Sequence, residues 1–184
     1  GTYSITNQIT VTNGITVRSV NGLSNTVVRA PGTANKRVFF LSHPDAVLDG
    51  LTITNGYEGY GGGVYIQKRT DLIADSGGAV RNCAINGNKV DYYGGGVYVW
   101  YGGLVENCTI SGNSMINWWY GGAGAYGGTL RNCVIRGNVT VGNNAHGAGA
   151  YNAALRNCLI IGNTGSGAGS FGAGVRGGTL ENCT

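Results

Sequence analysis

The sequence predicts an all-β solenoid built from coils of about 25 residues each. Three observations support this fold class: a cysteine recurs at a fixed spacing, glycine is abundant, and apolar residues occur in short runs. Of the 184 residues 36 are glycine, and no 11-residue window places apolar residues at the period of a helix. Helical repeat architectures are therefore excluded, because each of their repeats needs two helices.

The cysteines mark the repeat most clearly. They are evenly spaced at the 25-residue period, and together they are all the cysteines of the chain: Cys83, Cys108, Cys133, Cys158 and Cys183. The asparagine before each cysteine keeps the same period: Asn82, Asn107, Asn132, Asn157 and Asn182. A Gly-Asn pair also recurs after each of the first four cysteines. A fixed period of this kind indicates one structural unit stacked on copies of itself.

Short apolar runs indicate that the unit is made of strands. Examples are "ITVRSV" (15–20), "LTIT" (51–54) and "GGGVYI" (61–66), and turn residues separate them. One 25-residue period holds about three strands of roughly 4–5 residues plus turns. That is one coil of a parallel β-helix, and the whole chain corresponds to about six or seven coils.

One coil can be derived around Cys133. Leu130 and Cys133 are both core candidates but lie three residues apart, so the chain must bend at Arg131-Asn132. Asparagine tolerates the left-handed conformation of a tight corner. The asparagine column then forms a ladder of hydrogen bonds between coils, and both the asparagine and the cysteine ladders are predicted to face inward. We favour reduced cysteines, which pack as small apolar groups; disulfides are the alternative, although the odd count in one column disfavours them.

The phrase "GGGVY … LxNCxIxGN" resembles the repeats of right-handed parallel β-helix proteins, the pectin-lyase-like superfamily. It is also similar to repeats of bacterial extracellular proteins, including polymorphic-outer-membrane-protein-like surface proteins and autotransporter passengers. The clear resemblance covers residues 46–184, and residues 1–45 are expected to form divergent coils of the same single domain, 1–184. The resemblance implies a right-handed coil and an extracellular or bacterial cell-surface location. We expect a segment of a longer chain or a fibre subunit.

Two columns are predicted on the outer surface. The residue before each corner asparagine is charged, which predicts a solvated ladder of ion pairs along Arg81, Glu106, Arg131, Arg156 and Glu181. A second column takes Tyr101, Tyr126 and Tyr151 at the 25-residue spacing and ends at Arg176, which could form a cation–π contact.

Further aromatic residues occur in nearby loops and extend this second column into a candidate ligand-binding face. They are Tyr92 and Tyr93 in "DYY", Tyr98 and Trp100 in "VYVWY", and Trp118, Trp119 and Tyr120 in "NWWY". Sugar rings stack well on aromatic faces, so carbohydrate is the predicted ligand. The alternative is that these rings cover the loop side of the solenoid or pack against another chain, because exposed aromatic patches usually mark an interface.

Several other classes of function are excluded or disfavoured. The 12 Lys and Arg residues form no basic stripe, so no nucleic-acid partner is predicted. No apolar run reaches the roughly 18 residues of a membrane-spanning helix, so no membrane span is predicted. "GAGAYG" (122–127) and "GAGVRG" (172–177) match G-x-G-x-x-G, but no helix is predicted after them. No cofactor and no metal site is therefore expected.

Catalysis is the least favoured function. Four acids lie over the early coils, Asp49, Asp71, Asp75 and Asp91, and the stretch 67–76 looks like an inserted charged loop. His43 and His146 have no obvious nucleophile or carboxylate partner. A polysaccharide lyase or hydrolase needs acid, base and binding groups in defined roles, and we predict no catalytic residues.

The sequence thus favours a non-enzymatic structural or adhesive β-solenoid that self-assembles end to end into fibres. Its predicted partners are other copies of itself or a host or matrix surface. The alternative is a carbohydrate-binding module that uses the aromatic face.

Overall fold

The computed structural model describes residues 1–68 and 77–184 and shows a parallel β-helix. Every element in these two ranges is a strand, and all strand-to-strand ladders between them are parallel. The predicted all-β solenoid is therefore confirmed. No helix in the described ranges is long and apolar enough to cross a membrane. The strands form three sheets, named A, B and C below.

Sheet A takes one strand from each of seven coils, in agreement with the predicted coil number. Its strands are β1 (Thr2–Ser4), β4 (Val27–Arg29), β7 (Thr52–Thr54), β11 (Ala84–Asn86), β15 (Thr109–Ser111), β19 (Val134–Arg136) and β22 (Leu159–Ile161). From β11 onward, residues one period apart pair directly, as Ile85 with Ile110 and Ile110 with Ile135. These isoleucines point inward and are fully buried.

Sheet B consists of two rows of strands that merge in the last two coils. The first row is β2 (Ile9–Val11), β5 (Phe39–Leu41), β9 (Val64–Gln67), β13 (Val97–Trp100) and β17 (Ala125–Tyr126). The second row is β3 (Thr16–Arg18), β6 (Val47–Asp49), β10 (Ala79–Arg81), β14 (Leu104–Glu106) and β18 (Thr129–Arg131). The seven-residue strands β21 (Ala150–Arg156) and β24 (Val175–Glu181) continue both rows.

Sheet C closes the coil between sheets A and B. Its strands are β8 (Tyr57–Tyr60), β12 (Lys89–Tyr93), β16 (Ser114–Met115), β20 (Val139–Val141) and β23 (Thr164–Ser166). Residues 1–51, which are all described, contribute no strand to it. The first two coils thus differ from the later ones.

The cysteine column lies inside the solenoid. The side chains of Cys83, Cys108, Cys133 and Cys158 are buried, and all five thiols are free, which confirms the reduced ladder. Each thiol donates to the carbonyl oxygen two residues earlier; the distance is 3.0 Å from Cys83 Sγ to Arg81 O. Hydrogen bonding to Cys133 and Cys83, together with burial, raises the pKa of the Cys108 thiol. The buried column packs as small apolar groups.

The corner asparagines adopt the predicted conformation. Their φ angles are 52°, 54°, 53°, 53° and 51° in Asn82, Asn107, Asn132, Asn157 and Asn182. The side chains form a ladder in which Nδ2 of Asn107 donates to Oδ1 of Asn82 at 3.4 Å, and Asn132 and Asn157 repeat the contact at 3.2 Å. This corner ladder lies at the surface.

The inward asparagine ladder is formed by a different column, the asparagines of the Gly-Asn pairs. Its members are Asn88, Asn113, Asn138 and Asn163, all buried. Nδ2 of Asn113 donates to Oδ1 of Asn138 and to the carbonyl oxygen of Ile85, both at 3.0 Å. The backbone N–H of Asn113 also donates to Oδ1 of Asn138 at 3.0 Å. Every polar atom of these buried amides is thus satisfied, as burial requires.

The interior ladder explains one glycine of each "GGG" or "GAG" phrase. A Cβ atom added at Gly124 would lie 2.9 Å from Nδ2 of Asn138 and 2.4 Å from the carbonyl oxygen of Gly149. Gly63, Gly96 and Gly149 meet the same restriction from Asn88, Asn113 and Asn163. The glycine phrases and the Gly-Asn pairs therefore contact each other across the solenoid.

Candidate functional site

A column of aromatic side chains runs along the outside of sheet B, parallel to the solenoid axis. Strand pairing aligns its members directly: Phe40, Tyr65, Tyr98, Tyr126 and Tyr151, followed by Arg176. Consecutive ring centroids are 5.3, 4.9, 5.0 and 5.5 Å apart. In β13 the alternation is simple, because Val97 and Val99 point into the core while Tyr98 and Trp100 point out. We call this set the inner column.

An outer column lies beside it at the junction with sheet C. Backbone pairing aligns Tyr60, Tyr93, Gly121, His146 and Phe171. Its rings contact the inner column: the ring centroids of Tyr93 and Tyr126 are 4.6 Å apart, and those of Tyr60 and Tyr98 are 5.2 Å apart. Tyr92 and Tyr120 contact each other at 4.8 Å and join the outer column. Together, the two columns with Tyr92, Trp100 and Tyr120 form the aromatic face.

Gly121 interrupts the outer column for a steric reason. A Cβ atom there would lie 2.1 Å from the carbonyl oxygen of His146 and 3.0 Å from the ring of Tyr151. The ring of Tyr151 fills the space that a side chain would occupy and contacts Tyr93 with a centroid distance of 5.9 Å. The glycine therefore allows the two columns to close over each other.

The prediction that Tyr101 belongs to the stacked column was wrong. Tyr98 occupies that position, since it pairs with both Tyr65 and Tyr126. The step from Tyr98 to Tyr126 exceeds the 25-residue period, because the loop that carries Trp118 and Trp119 is longer than its counterpart in the preceding coil. Tyr101 instead lies beyond the end of β13, 66% exposed and with φ of 65°, and contacts only the ring of Trp100 among the described aromatic residues.

An arginine lies over the rings at each end of the aromatic face. The Arg37 guanidinium is 4.9 Å from the ring centroid of Tyr65, and it also donates to the carbonyl oxygens of Tyr60 and Gly61. The predicted contact of Arg176 is confirmed, at 5.9 Å from the ring centroid of Tyr151 and 5.6 Å from that of Phe171. Such cation–π contacts hold the terminal rings in place.

The centre of the face is apolar although it points away from the core. Tyr98 is only 1% exposed because Tyr60, Tyr65, Tyr126 and Trp100 surround its ring. Burial raises the pKa of Tyr98 and of Tyr93 above the usual tyrosine range. Burial followed by the charge of Arg176 lowers the pKa of His146. At neutral pH the face therefore presents protonated hydroxyl groups.

Trp100 stands between three shallow depressions. They have volumes of about 240, 310 and 210 Å³, and Trp100 lines each of them. The first is formed with Tyr60, Tyr65 and Tyr98, the second with Gln67, Lys68 and Tyr101, and the third with Val99, Tyr101 and Tyr126. Trp100 is 47% exposed. In its coil, Val99 and Trp100 follow Tyr98; in the next coil, Gly127 and Gly128 follow the equivalent Tyr126. Because glycine has no side chain, no side chain of the next coil covers the Trp100 ring.

The remaining predicted aromatic residues divide into two groups. Tyr92 and Tyr93 belong to the face, as their ring contacts show. Trp118 and Trp119 are 57% and 65% exposed, and no ring of the described ranges contacts either of them. Trp119 has φ of 70°, which is unusual for a bulky residue. The link between this loop and the face is Tyr120, through its contacts with Tyr92 and Tyr93.

The charged column is confirmed as a surface ladder. Arg81 and Arg131 flank Glu106 at 3.8 and 3.5 Å, and Arg156 lies 3.2 Å from Glu181. All of these side chains are partly exposed, so each ion pair contributes only about 0–1 kcal/mol to stability.

The structure assembles no catalytic constellation from the described residues. Asp49 accepts a hydrogen bond from the corner ladder at Asn82, and Asp91 accepts one from the hydroxyl of Tyr57. His43 does have a carboxylate neighbour, since Asp45 lies 3.9 Å away, but the two form one local turn. Within 1–68 and 77–184, no group of three or more His, Cys, Asp or Glu could hold a metal ion. Asp71 and Asp75, with most of the 67–76 loop, lie outside the described residues.

The stacked sheets and inward ladders define a parallel β-helix repeat protein. A family model described as a right-handed beta helix region matches residues 7–184, so the chain belongs to that family and its coil is right-handed. No curated protein and no solved structure matches the chain. The family match supports the fold of the chain.

Sequence reasoning missed five aromatic members of the face, Phe40, Tyr60, Tyr65, His146 and Phe171, and it also missed Arg37, which lies over the ring of Tyr65. A signal for Tyr65 was present, because "GGGVY" occurs at both 61–65 and 94–98 and aligns Tyr65 with Tyr98. The related "GAGAY" phrases at 122–126 and 147–151 align Tyr126 and Tyr151 in the same way. The glycine phrase packs against the interior ladder, so its position predicts which tyrosines align. The 25-residue spacing of the cysteines does not, because Tyr98 and Tyr126 are further apart than one period.

Proposed function

We propose that the chain is a non-enzymatic extracellular β-solenoid that binds polysaccharide along its aromatic face and so acts as a structural or adhesive element. The inner column carries this proposal, because its ring centroids are 4.9 to 5.5 Å apart over five coils. One coil advances by about 4.8 Å, a length similar to that of one pyranose residue in an extended chain. Successive sugars can therefore lie against successive coils.

Trp100 is the main contact surface in this proposal. Its indole ring is partly exposed, and the depressions on its sides are open and shallow, which suits a polymer lying across them more than a small molecule enclosed in a pocket. The protonated hydroxyl groups of neighbouring tyrosines supply hydrogen bonds to sugar hydroxyls.

Affinity electrophoresis with a panel of neutral, acidic and amino polysaccharides tests the proposal. We expect at least one polymer to retard the protein, and Trp100→Ala and Tyr126→Ala to weaken that binding about tenfold each, the effect of roughly 1.4 kcal/mol. Tyr3→Ala is the matched control, because Tyr3 is 59% exposed in β1 of sheet A. Failure of every polymer to bind, or equal weakening by the control variant, contradicts the proposal.

The non-enzymatic part is tested with the same polymers. We expect no new reducing ends and no unsaturated sugar products after prolonged incubation. Products that disappear when Asp71 and Asp75 are replaced by Asn would show that the chain is an enzyme.

The extracellular or cell-surface location is part of the same proposal. Its support is the similarity of the repeat phrase to those of bacterial extracellular β-helix proteins. Antibody labelling of intact cells that produce the protein tests it. Labelling that requires permeabilised cells would contradict it.

A second proposed function is association along the solenoid axis. A depression of about 630 Å³ opens at the first coil, and interior residues such as Ile9, Val28 and Phe39 line it. An apolar end with unpaired strand edges can be covered by a further coil of the same chain or by a second copy. Light scattering after size exclusion and negative-stain images should show rods longer than one chain, and a monodisperse monomer at high concentration would contradict this function.

A further inference from the structure

Several tyrosine rings of the aromatic face lie close enough to one another for oxidative coupling. The ring of Tyr126 lies at the centre, with the centroids of Tyr93, Tyr98 and Tyr151 at 4.6, 5.0 and 5.5 Å. Tyr93 and Tyr126 are both half-buried, so small oxidants reach the edge of this cluster.

We propose that oxidation of the aromatic face joins Tyr93 to Tyr126 through a dityrosine bond. Each phenol loses one electron and one proton to give a phenoxyl radical, and the two radicals couple through ring carbons ortho to the hydroxyl groups. The coupled rings regain aromaticity by moving two ring protons to oxygen. The pair thus loses two electrons and two protons in total, and hydrogen peroxide acting through a peroxidase accepts them and becomes two waters.

The distance between the two rings favours this bond. In a biaryl the ring centroids are about 4.3 Å apart, one carbon–carbon single bond of about 1.5 Å plus two ring radii. Tyr93 and Tyr126 already lie at 4.6 Å with an interplanar angle of 42°. Coupling therefore requires reorientation of the rings and little approach of the backbones.

The environment of the rings favours the same pair. Tyr98 is also close to Tyr126, but its ring is buried among four others and has less room to turn. Burial raises the pKa of Tyr93, so its phenol keeps its proton until oxidation removes it. Tyr93 ends β12 and Tyr126 ends β17 in the next coil, so the bond is a staple between neighbouring coils.

The experiment exposes the full chain to peroxidase and hydrogen peroxide at low protein concentration. We expect dityrosine fluorescence in the monomer fraction, loss of two hydrogen atoms from its mass, and a cross-linked peptide pair that contains Tyr93 and Tyr126. The staple closes a loop of more than one coil and should raise the unfolding midpoint by roughly 10 °C.

Conservative variants decide the assignment. Tyr93→Phe and Tyr126→Phe should each abolish the monomer signal, while Tyr98→Phe and the exposed control Tyr3→Phe should retain it. Dityrosine that appears only in oligomers overturns the proposal, as does a monomer signal that survives in Tyr126→Phe. These variants keep the aromatic rings, so glycan binding and cross-linking can fail independently.

Discussion

Two asparagine ladders run along the same solenoid with the same 25-residue period, and they contribute in different ways. The interior ladder, Asn88 to Asn163, is buried and makes hydrogen bonds with every polar atom of its amides. The corner ladder, Asn82 to Asn182, is exposed and has weaker contacts of 3.2 to 3.4 Å. The interior asparagines are required for their hydrogen bonds, whereas the corner asparagines are required for their backbone conformation.

Burial is the physical cause of this difference. A buried amide that loses its partner bears the full cost of desolvation, about 1–3 kcal/mol per group, while an exposed amide exchanges its partner for water. The corner asparagines still stabilise the fold, because a left-handed φ costs most other residues about 1–2 kcal/mol. Substitutions in the two columns of one coil can separate these contributions.

The largest expected effect comes from Asn138→Leu. This change removes the side-chain acceptor of the Asn113 backbone N–H, and it takes one hydrogen bond each from Asn113 Nδ2, Asn163 Oδ1 and the carbonyl oxygen of Ile110. We expect a loss of at least about 3 kcal/mol in the free energy of unfolding, or roughly 8 °C in the unfolding midpoint. Thermal unfolding followed by circular dichroism measures it.

Asn86→Leu is the matched control for this variant. Asn86 pairs with Ser111 on the outward side of sheet A, next to the buried Ile85. The control should change stability by less than about 0.5 kcal/mol, as surface substitutions usually do. Equal destabilisation by the two variants would show that the interior ladder has no special role.

A smaller effect is expected at the corner of the same coil. Asn132→Ala should cost about 1–2 kcal/mol, because alanine resists the φ of 53° there, and Asn132→Gly should cost less than Asn132→Ala. Urea unfolding of the two variants gives the comparison. If glycine destabilises as much as alanine, the hydrogen bonds of the corner ladder matter more than its conformation.

The fold could be predicted because its determinants are strictly periodic. Cys133, the corner at Asn132 and the inward Ile135 follow from local spacing alone, and each is in its predicted place. The interior asparagine ladder could not be assigned, since Asn132 and Asn138 share one period and local spacing does not show which side chain points inward. That assignment depends on Gly124, which contacts Asn138 across the solenoid from a different part of the coil.

The candidate face was predicted only in part, because its spacing is not periodic. Tyr126, Tyr151 and Arg176 were placed correctly, as they lie in coils that keep the 25-residue period. The longer loop around Trp118 shifts the register by three residues, so Tyr98 takes the position predicted for Tyr101. Loop length is where such a repeat varies, because a loop at the surface changes without disturbing the stacked strands.

The smallest expected effect lies in the charged column beside the corner ladder, and it sharpens the contrast between buried and exposed contacts. Glu106→Gln removes the charge that Arg81 and Arg131 flank at 3.8 and 3.5 Å. Exposed pairs contribute about 0–1 kcal/mol, so the unfolding midpoint should fall by no more than about 4 °C at low salt. At about 1 M salt, where screening acts over about 3 Å, the difference from the unaltered chain should nearly vanish. The effect of Asn138→Leu should persist at both salt concentrations, because hydrogen bonds inside the solenoid are shielded from ions. A Glu106→Gln effect that also persists at high salt would show that the column stabilises the coils by hydrogen bonding and packing more than by charge.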